Sequence, residues 1–292
     1  MSLPPTVTHT LDFNFKSLIN IKIFFKFYRF FKKIFVYFRE TEKLIYAQDH
    51  WLEIFEEPSK SPLIRDRIYE QETTLFIRNY LKEKDVVYDV GANIGYFTLE
   101  FARLVGNQGK VLSFEPHPEI YKVLQQNVRR NNYLNIILNN VACGESDSQM
   151  KLHLSTENEG NHKIIENNSS KGSVVTQVVR LSEFIVQTPP RLIKMDIEGA
   201  ELLAIKGIGS DILANQEIDF VLEYHPYEMA FFDIEGAEVL ELLSKYGYKF
   251  RNLAYGNFPI IKKDEILATY RKEGRGITNL FCSKSINKIH TK

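Results

Sequence analysis

The sequence predicts an α/β protein built on a mostly parallel, doubly wound sheet, with an antiparallel edge strand and an amino-terminal helical extension. Three observations predict it. Short apolar runs recur through the middle of the chain, each bounded by Gly, Pro or Asn. Stretches of helical period separate them, and alternating βα units imply a parallel sheet covered on both faces. The last two runs have no long helix between them, which predicts an antiparallel edge pair. The 292 residues, 44% of them hydrophobic and 25% charged, suffice for a full core and exclude disorder.

Asp85–Val90 (DVVYDV) reads as a buried strand, with a helix following from Gly95 to Val105. Lys110–Glu115 is the second strand. Pro118–Asn131 is a helix, with Pro118 suited to its first turn. Asn135–Val141 is the third strand. Gln149–Leu154 and Ser173–Arg180 alternate at period two and read as an inserted hairpin. The polar stretch 155–172 between them, which includes His162, is long enough to be a lid or binding loop, and disorder without a role is its equal alternative. Arg191–Met195 is strand four and Glu198–Lys206 its helix. Ile218–Glu223 is strand five, followed by a helical stretch to Lys245 and strands at Tyr248–Leu253 and Thr278–Ser283.

The ends of the chain differ in composition. Residues 1–62 form an extension and connector, 63–285 the main domain, and 286–292 a basic tail, with the Lys-rich end expected to fray from Ser283. Within 13–39, Lys22, Lys26, Arg29 and Lys33 fall on one helical stripe and Phe24, Phe27, Phe31, Ile34, Phe35 and Phe38 on the opposite side. The charges interrupt any membrane span and any signal-peptide core. A basic amphipathic helix fits an anionic membrane surface; it equally fits packing on the main domain or on a second copy, and the sequence leaves these open. Pro58 and Pro62 mark a break in the connector. Thirty-seven basic and 37 acidic residues argue against a nucleic-acid partner. The two cysteines, Cys143 and Cys282, build no disulfide framework and imply a reducing, cytoplasmic setting, with the inner membrane surface as a peripheral station.

Ligands of doubly wound sheets bind at the carboxyl ends of the strands. There the first strand runs into Asp89-Val90-Gly91-Ala92-Asn93-Ile94-Gly95. A dinucleotide fingerprint needs further glycines where Asn93 and Tyr96 stand. Asp89 would repel a pyrophosphate but suits an ammonium, and Glu115, ending strand two, can bind both hydroxyls of a ribose. S-adenosylmethionine, cationic and without phosphate, fits this loop better than NAD does.

The stretch from Tyr69 to Cys282 resembles the FkbM family of methyltransferases. The matching pieces are Asp89–Thr98 (DVGANIGYFT), Phe114–Pro118 (FEPHP), Val141–Gly144 (VACG), Val179–Phe184 (VRLSEF), Leu192–Gly207 (LIKMDIEGAELLAIKG) and Leu222–His225 (LEYH), in the family's order. The resemblance implies a Rossmann-like class I methyltransferase fold, S-adenosylmethionine as methyl donor and O-methylation of a hydroxyl. It places Gly91, Ala92, Asn93, Gly95, Glu115 and Pro116 around the cofactor and Val141 and Ala142 near its adenine. The Phe- and Lys-rich front end and the loop 155–172 depart from the family and leave the acceptor open.

Methyl transfer to a hydroxyl needs in-line alignment and removal of a proton. Candidates lie at the tips of strands four and five. Asp196 is placed for cofactor or acceptor contact. Glu198, in the first turn of a helix, is a second candidate, and simple helix-dipole pairing accounts for it equally. His225, ending strand five, can act as a base, since the unperturbed pKa of histidine is near neutrality; hydrogen bonding in a loop is its alternative. Glu201 is expected to face solvent or an ion pair, and His117 to border the nucleoside. Asp196, Glu198, Glu223 and His225 could hold a divalent ion, but no spacing demands one and no metal is assigned. The repeat of Asp196–Glu201 at Asp233–Glu238 reads as a coincidental helix start. The expected acceptor is a small molecule or glycan, a sugar hydroxyl favoured. The rivals are an NAD or nucleotide-sugar oxidoreductase and a non-catalytic S-adenosylmethionine-binding scaffold.

Overall fold

The computed structural model describes residues 44–54, 66–153, 173–274 and 276–286. The amphipathic helix expected over 13–39, the loop 155–172 and most of the basic tail lie outside the described residues. The chain divides after Glu42, and the second unit holds every element below.

Eight strands form one sheet in the order β12-β11-β13-β10-β9-β3-β4-β5. The strands β3 (Val86–Val90), β4 (Lys110–Phe114), β5 (Ile136–Asn139), β9 (Leu192–Met195) and β10 (Asp219–Tyr224) pair in parallel. The strand β13 (Thr278–Ser283) lies antiparallel between β10 and β11 (Lys249–Asn252). A two-residue strand, β12 (Ile260–Ile261), closes the edge. The parallel sheet and antiparallel edge thus match the sequence expectation. Alternate residues of each strand enter opposite cores. Tyr88, Ile193 and Leu222 face one core and Val87, Leu192 and Val221 the other.

Helices cover both faces. On the second face lie α1 (Gln71–Tyr80), α2 (Tyr96–Val105) and α3 (Pro118–Arg130), burying Phe76, Leu99 and Leu124 among others. On the first lie α4 (Leu181–Gln187), α5 (Glu201–Lys206), α6 (Ser210–Asn215) and, after the short α7 (Pro226–Met229), α8 (Gly236–Lys245), contributing Ile185, Leu202, Leu213 and Leu240. The last helix is α9 (Lys263–Thr269). A small sheet of β6 (Ala142–Cys143), β8 (Ser173–Val179) and β7 (Ser148–His153) contains the expected hairpin, its two long strands antiparallel from Ser148↔Val178 to His153↔Ser173. Two helix starts have a clear local cause. Pro118 occupies the first turn of α3, while Glu235 and Glu238 form a capping box on α8.

Two expectations change. Part of the stretch read as connector is a hairpin, β1 (Leu44–Ala47) with β2 (His50–Glu53), turned through Gln48 and Asp49 at φ 52° and 68°. Two left-handed residues give the tight turn that suits twisted antiparallel strands. Asn127 of α3, fully buried, fixes this hairpin: its Oδ1 accepts from the Glu53 N–H at 2.7 Å and its Nδ2 donates to the Glu53 carbonyl at 3.1 Å. The same Nδ2 reaches the Ile94 carbonyl at 2.8 Å. The tail expected to fray from Ser283 stays ordered further, with Lys284 donating to the Gln216 carbonyl at 2.8 Å and Ile286 buried. No helix among the described residues is long and apolar enough to cross a membrane.

Replacing Asn127 by Ala leaves buried backbone groups on both the hairpin and the Ile94 loop without partners. A loss of about 2 kcal/mol is expected, read as a lower urea midpoint at unchanged slope.

Candidate active site

The strand order reverses between β3 and β9: β4 and β5 continue on one side and β10 on the other. Such a switch point opens a crevice at the carboxyl ends. The chain crosses it closely, since a Cβ on Gly91 would lie 1.9 Å from the Asp196 carbonyl oxygen. Gly91, Asn93 and Gly95 take positive φ of 84°, 49° and 96°, so the loop doubles back before α2 begins.

The loop is tied to strand β4. The Gly91 and Ala92 N–H groups both donate to the Phe114 carbonyl at 3.0 Å. Glu115 completes the tie: one carboxylate oxygen accepts from the Asn93 N–H at 2.9 Å and the other from the His117 N–H at 2.8 Å. Each oxygen keeps a lone pair for a further donor. Burial, opposed by these two bonds, pushes the Glu115 carboxyl up to about 7. Pro116, half-buried, follows it. Asn140 joins the next loop by donating to the Glu115 carbonyl at 2.7 Å, and places Val141 and the buried Ala142 just beyond. Gly91, Ala92, Asn93, Gly95, Glu115, Pro116, Val141 and Ala142 therefore border linked loops at one end of the sheet.

Asp89 sits lower than expected. Its position in β3 turns the side chain into the protein, where it is 1% exposed and accepts from Thr98 Oγ1 at 2.5 Å. Burial raises its pKa, against Lys194 and Thr98. It can act on a bound cation through its charge, from beneath the loop.

Lys194 is a residue the sequence argument passed over. It lies one strand from Asp89 in register, 2% exposed, with its ammonium 4.5 Å from the centre of the Phe97 ring. It donates to Asp196 Oδ2 at 3.0 Å. Burial opposes its charge, yet Asp196, Glu70 and Asp89 together outweigh burial and raise its pKa. Glu70, ahead of α1, joins this group. It accepts from Asn279 Nδ2 at 2.8 Å, and burial raises its pKa despite Lys194. Neither residue carries a motif; only the fold brings 70, 194 and 279 together.

Asp196 stands at the tip of β9, beside the glycine loop, as expected. Glu198 does not start the helix: at φ 56° it belongs to a left-handed turn with Gly199 at 99°, and α5 begins at Glu201. Gly199 is required there, because a Cβ would meet the Glu228 backbone at 2.5 Å. Glu201 is not solvent-facing. It is 1% exposed, one carboxylate oxygen accepts from the Ile197 and Gly199 N–H groups at 3.0 and 3.4 Å, and burial pushes it up to about 7. His225, half-buried, follows β10, with Nδ1 3.9 Å from Glu228 and its ring 6.1 Å from that of Tyr227. His117 is a helix cap: its Nδ1 accepts from the Glu119 and Ile120 N–H groups of α3 at 3.2 and 3.3 Å. The repeat at Asp233 turns at φ 55° before the capping box of α8 and lies away from the glycine loop in sequence and topology. Among the described residues no group of three or more His, Cys, Asp and Glu has a metal-holding arrangement.

The groups at this end fit a cation-bearing nucleoside. Glu115 keeps lone pairs for a further donor, and Asp89 and Asp196 supply negative charge that would repel a pyrophosphate.

Residues 89–250 match the model of the Methyltransferase FkbM domain. Methyltransferase 1 of Beauveria bassiana is 27% identical over 147 residues, 43% of this chain and 59% of that protein. Hexuronic acid methyltransferase AglP of Haloferax volcanii is 29% identical over 187 residues, 62% of this chain and 71% of that one. The chain thus spans about three fifths of the first relative's length. The crystal structure of Methyltransferase FkbM from Methylobacillus flagellatus KT aligns with TM-score 0.43 and 17% identity, over 78% of this chain and 48% of that one.

Replacing Lys194 by Met strands Asp89, Asp196 and Glu70 without their cation. Breaking a buried pair costs about 3–5 kcal/mol. With Asp196 22% exposed, the low end, about 3 kcal/mol, is expected. A thermal unfolding midpoint within about 2 °C of the parent would show that the carboxylates do not depend on Lys194.

Proposed function

The chain belongs to the methyltransferase FkbM family, and on that premise we propose that it transfers a methyl group from S-adenosylmethionine to a hydroxyl of a small molecule or glycan, with a sugar hydroxyl favoured. The observation that carries this reading is Glu115. It is a buried acid at the end of β4, tied by two backbone N–H bonds to the glycine loop and still able to accept from ribose hydroxyls. The relative named for hexuronic acid supports a sugar acceptor.

In this reading Gly91, Ala92, Asn93 and Gly95 shape the cofactor loop and Glu115 holds the ribose. Pro116, Val141 and Ala142 border the base. S-adenosylmethionine, when bound, supplies an activated methyl group on a sulfonium. Asp89 and Asp196 provide negative charge on that side. Asp196, Glu198 and His225 flank the acceptor, and the contacts of His225 with Glu228 and Tyr227 set its orientation. Residues 13–39 bring the enzyme to an anionic membrane surface or to a second copy, and the enzyme works in the cytoplasm.

Glu115→Ala is expected to weaken binding of S-adenosylhomocysteine by about tenfold or more, the scale of one hydrogen bond to a charged group. Calorimetry reads this, and an affinity within about twofold would remove Glu115 from the ribose site. Titration of the parent with NAD in place of S-adenosylhomocysteine is expected to give no heat; tighter NAD binding would favour the oxidoreductase.

The pH dependence follows from the raised pKa. Ordinary Glu titrates near 4.5, and Glu115 in the fold near about 7. Between these values the folded state holds more protons than the unfolded chain, so this group's contribution to stability falls as pH rises through that window. Ribose hydroxyls donate to the ionised form. Affinity for S-adenosylhomocysteine should therefore rise as pH passes about 7 and then level off. Glu115→Gln should flatten this dependence, although Glu201 titrates in the same range.

A further inference from the structure

We propose that Glu223 receives the proton of the acceptor hydroxyl, and that the carboxylates around it select an acceptor without a carboxylate beside that hydroxyl. This rests on the methyltransferase reading above and assigns its base.

Glu223 lies on the same face of the sheet as Lys194. Alternation in β10 sends Phe220, Leu222 and Tyr224 into the first core and Val221 into the second, so Glu223 shares the side of Val221. One strand over, Leu222 pairs with Met195, which puts Glu223 beside the tip that carries Asp196. On its other side it is in register with Asn279 of β13. Side chains of such an opposed pair are close neighbours.

Every other carboxylate whose bonds define this end of the sheet has a donor. Asp89 accepts from Thr98, Glu115 from two backbone N–H groups, and Asp196 from Lys194. Glu70 accepts from Asn279, and Glu201 from two more backbone N–H groups. Asn279 cannot serve Glu223 as well: its amide donates to Glu70 at 2.8 Å and to Thr73 at 3.0 Å, which uses both of its N–H groups. Among the described residues nothing donates to Glu223. A half-buried carboxylate without a donor is costly and is completed by a donor that arrives from outside. A substrate hydroxyl is such a donor.

The neighbours also set its strength as a base. Burial raises the Glu223 pKa well above the ordinary range, and Asp196, Glu201 and Glu198 raise it further; Lys194 alone opposes them. Asp196, by contrast, is ion-paired to Lys194 at 3.0 Å and so already has a donor. In the step itself the hydroxyl oxygen forms a bond to the methyl carbon. The electron pair of the broken S–CH3 bond stays on sulfur as a neutral thioether, and the O–H proton moves to Glu223, which becomes a carboxylic acid. The same carboxylates repel an anionic group next to the reacting hydroxyl. A neutral hexoside or an amino sugar fits, and a hexuronate does not, so on this charge criterion the acceptor differs from that of the relative named for hexuronic acid.

Glu223→Gln and the parent are to be compared in two ways. First, infrared spectra of the protein without acceptor, taken across pH, should show protonated-carboxyl absorption above the ordinary Glu range in both proteins, because Glu115 and Glu201 also titrate there, but weaker by one carboxyl in the variant. Second, turnover is measured with S-adenosylmethionine and three probes: a neutral methyl hexoside, its 2-amino analogue and a methyl hexuronide. The variant should bind S-adenosylhomocysteine within about twofold of the parent and lose about 10²-fold or more in turnover. The acid limb of its pH–rate profile should also be lost. Identical infrared titrations, or turnover within threefold, overturn the assignment of the base. A parent that prefers the hexuronide overturns the charge selection. A parent that binds S-adenosylhomocysteine and methylates none of the probes overturns the sugar reading and this inference with it, whereas failure to bind S-adenosylhomocysteine overturns the methyltransferase reading first.

Discussion

The active end of this sheet depends on one buried cation. Lys194 projects from β9 into a region where Asp89, Asp196 and Glu70 converge, and among the described residues it is the only buried lysine or arginine. Isolated charges do not persist in a protein interior; they are paired or they lose their charge. One ammonium cannot neutralise three carboxylates. The excess is spread by hydrogen bonds, through Thr98 to Asp89 and Asn279 to Glu70, and by raised proton affinity in the groups that lack a charged partner. The result is a pocket edge that is acidic by construction and fixed by covered side chains on α1, α2 and β13.

The second constraint is proximity. The glycine loop after β3 and the tip of β9 are so close that no side chain fits at Gly91. Whatever occupies the loop is therefore beside Asp196. Glu115 locks the loop from the opposite side, and Asn127 holds both Ile94 and the β1–β2 hairpin. The cofactor loop is thus braced by the hairpin, α3 and β4, rather than by its own backbone. Preorganisation of this kind is what transfer between two bound partners requires, because alignment supplies much of the rate.

How much of this the sequence disclosed follows from how local each signal was. Strands β3, β4, β9 and β10 were legible because strands buried on both faces read as continuous apolar runs. The Gly91 loop and Glu115 were legible because turn geometry and strand-end position are local properties. The hairpin at 44–53 was missed since its turn uses Gln48 and Asp49 in place of the usual Asn-Gly, and its four-residue strands are short. Glu201 was misjudged because helical spacing from Glu198 assumed a helix that had not yet begun; the turn at Glu198 and Gly199 rotates it inward. The contacts of Glu70, Lys194, Asn279 and Glu223 were invisible for a different reason. They join segments distant in sequence, Glu70 and Asn279 being 209 residues apart, and nothing short of the assembled sheet places them in one register.

An acidic pocket works against the creation of a nucleophile, since negative charge discourages an alkoxide. The difficulty disappears if no alkoxide forms. When the proton passes to Glu223 as the carbon–oxygen bond develops, one negative charge leaves the carboxylate while one positive charge leaves the sulfur. Net charge in the pocket is unchanged, and two separated charges become none. Charge cancellation of this kind is favoured where the dielectric is low, which is the environment that burial creates. With Glu223 as the base, no charge develops on the acceptor oxygen for another group to hold. The site needs a carboxylate that is poorly solvated and lacks a donor of its own, and at the carboxyl ends of this sheet Glu223 meets that description while Asp196, held by Lys194, does not.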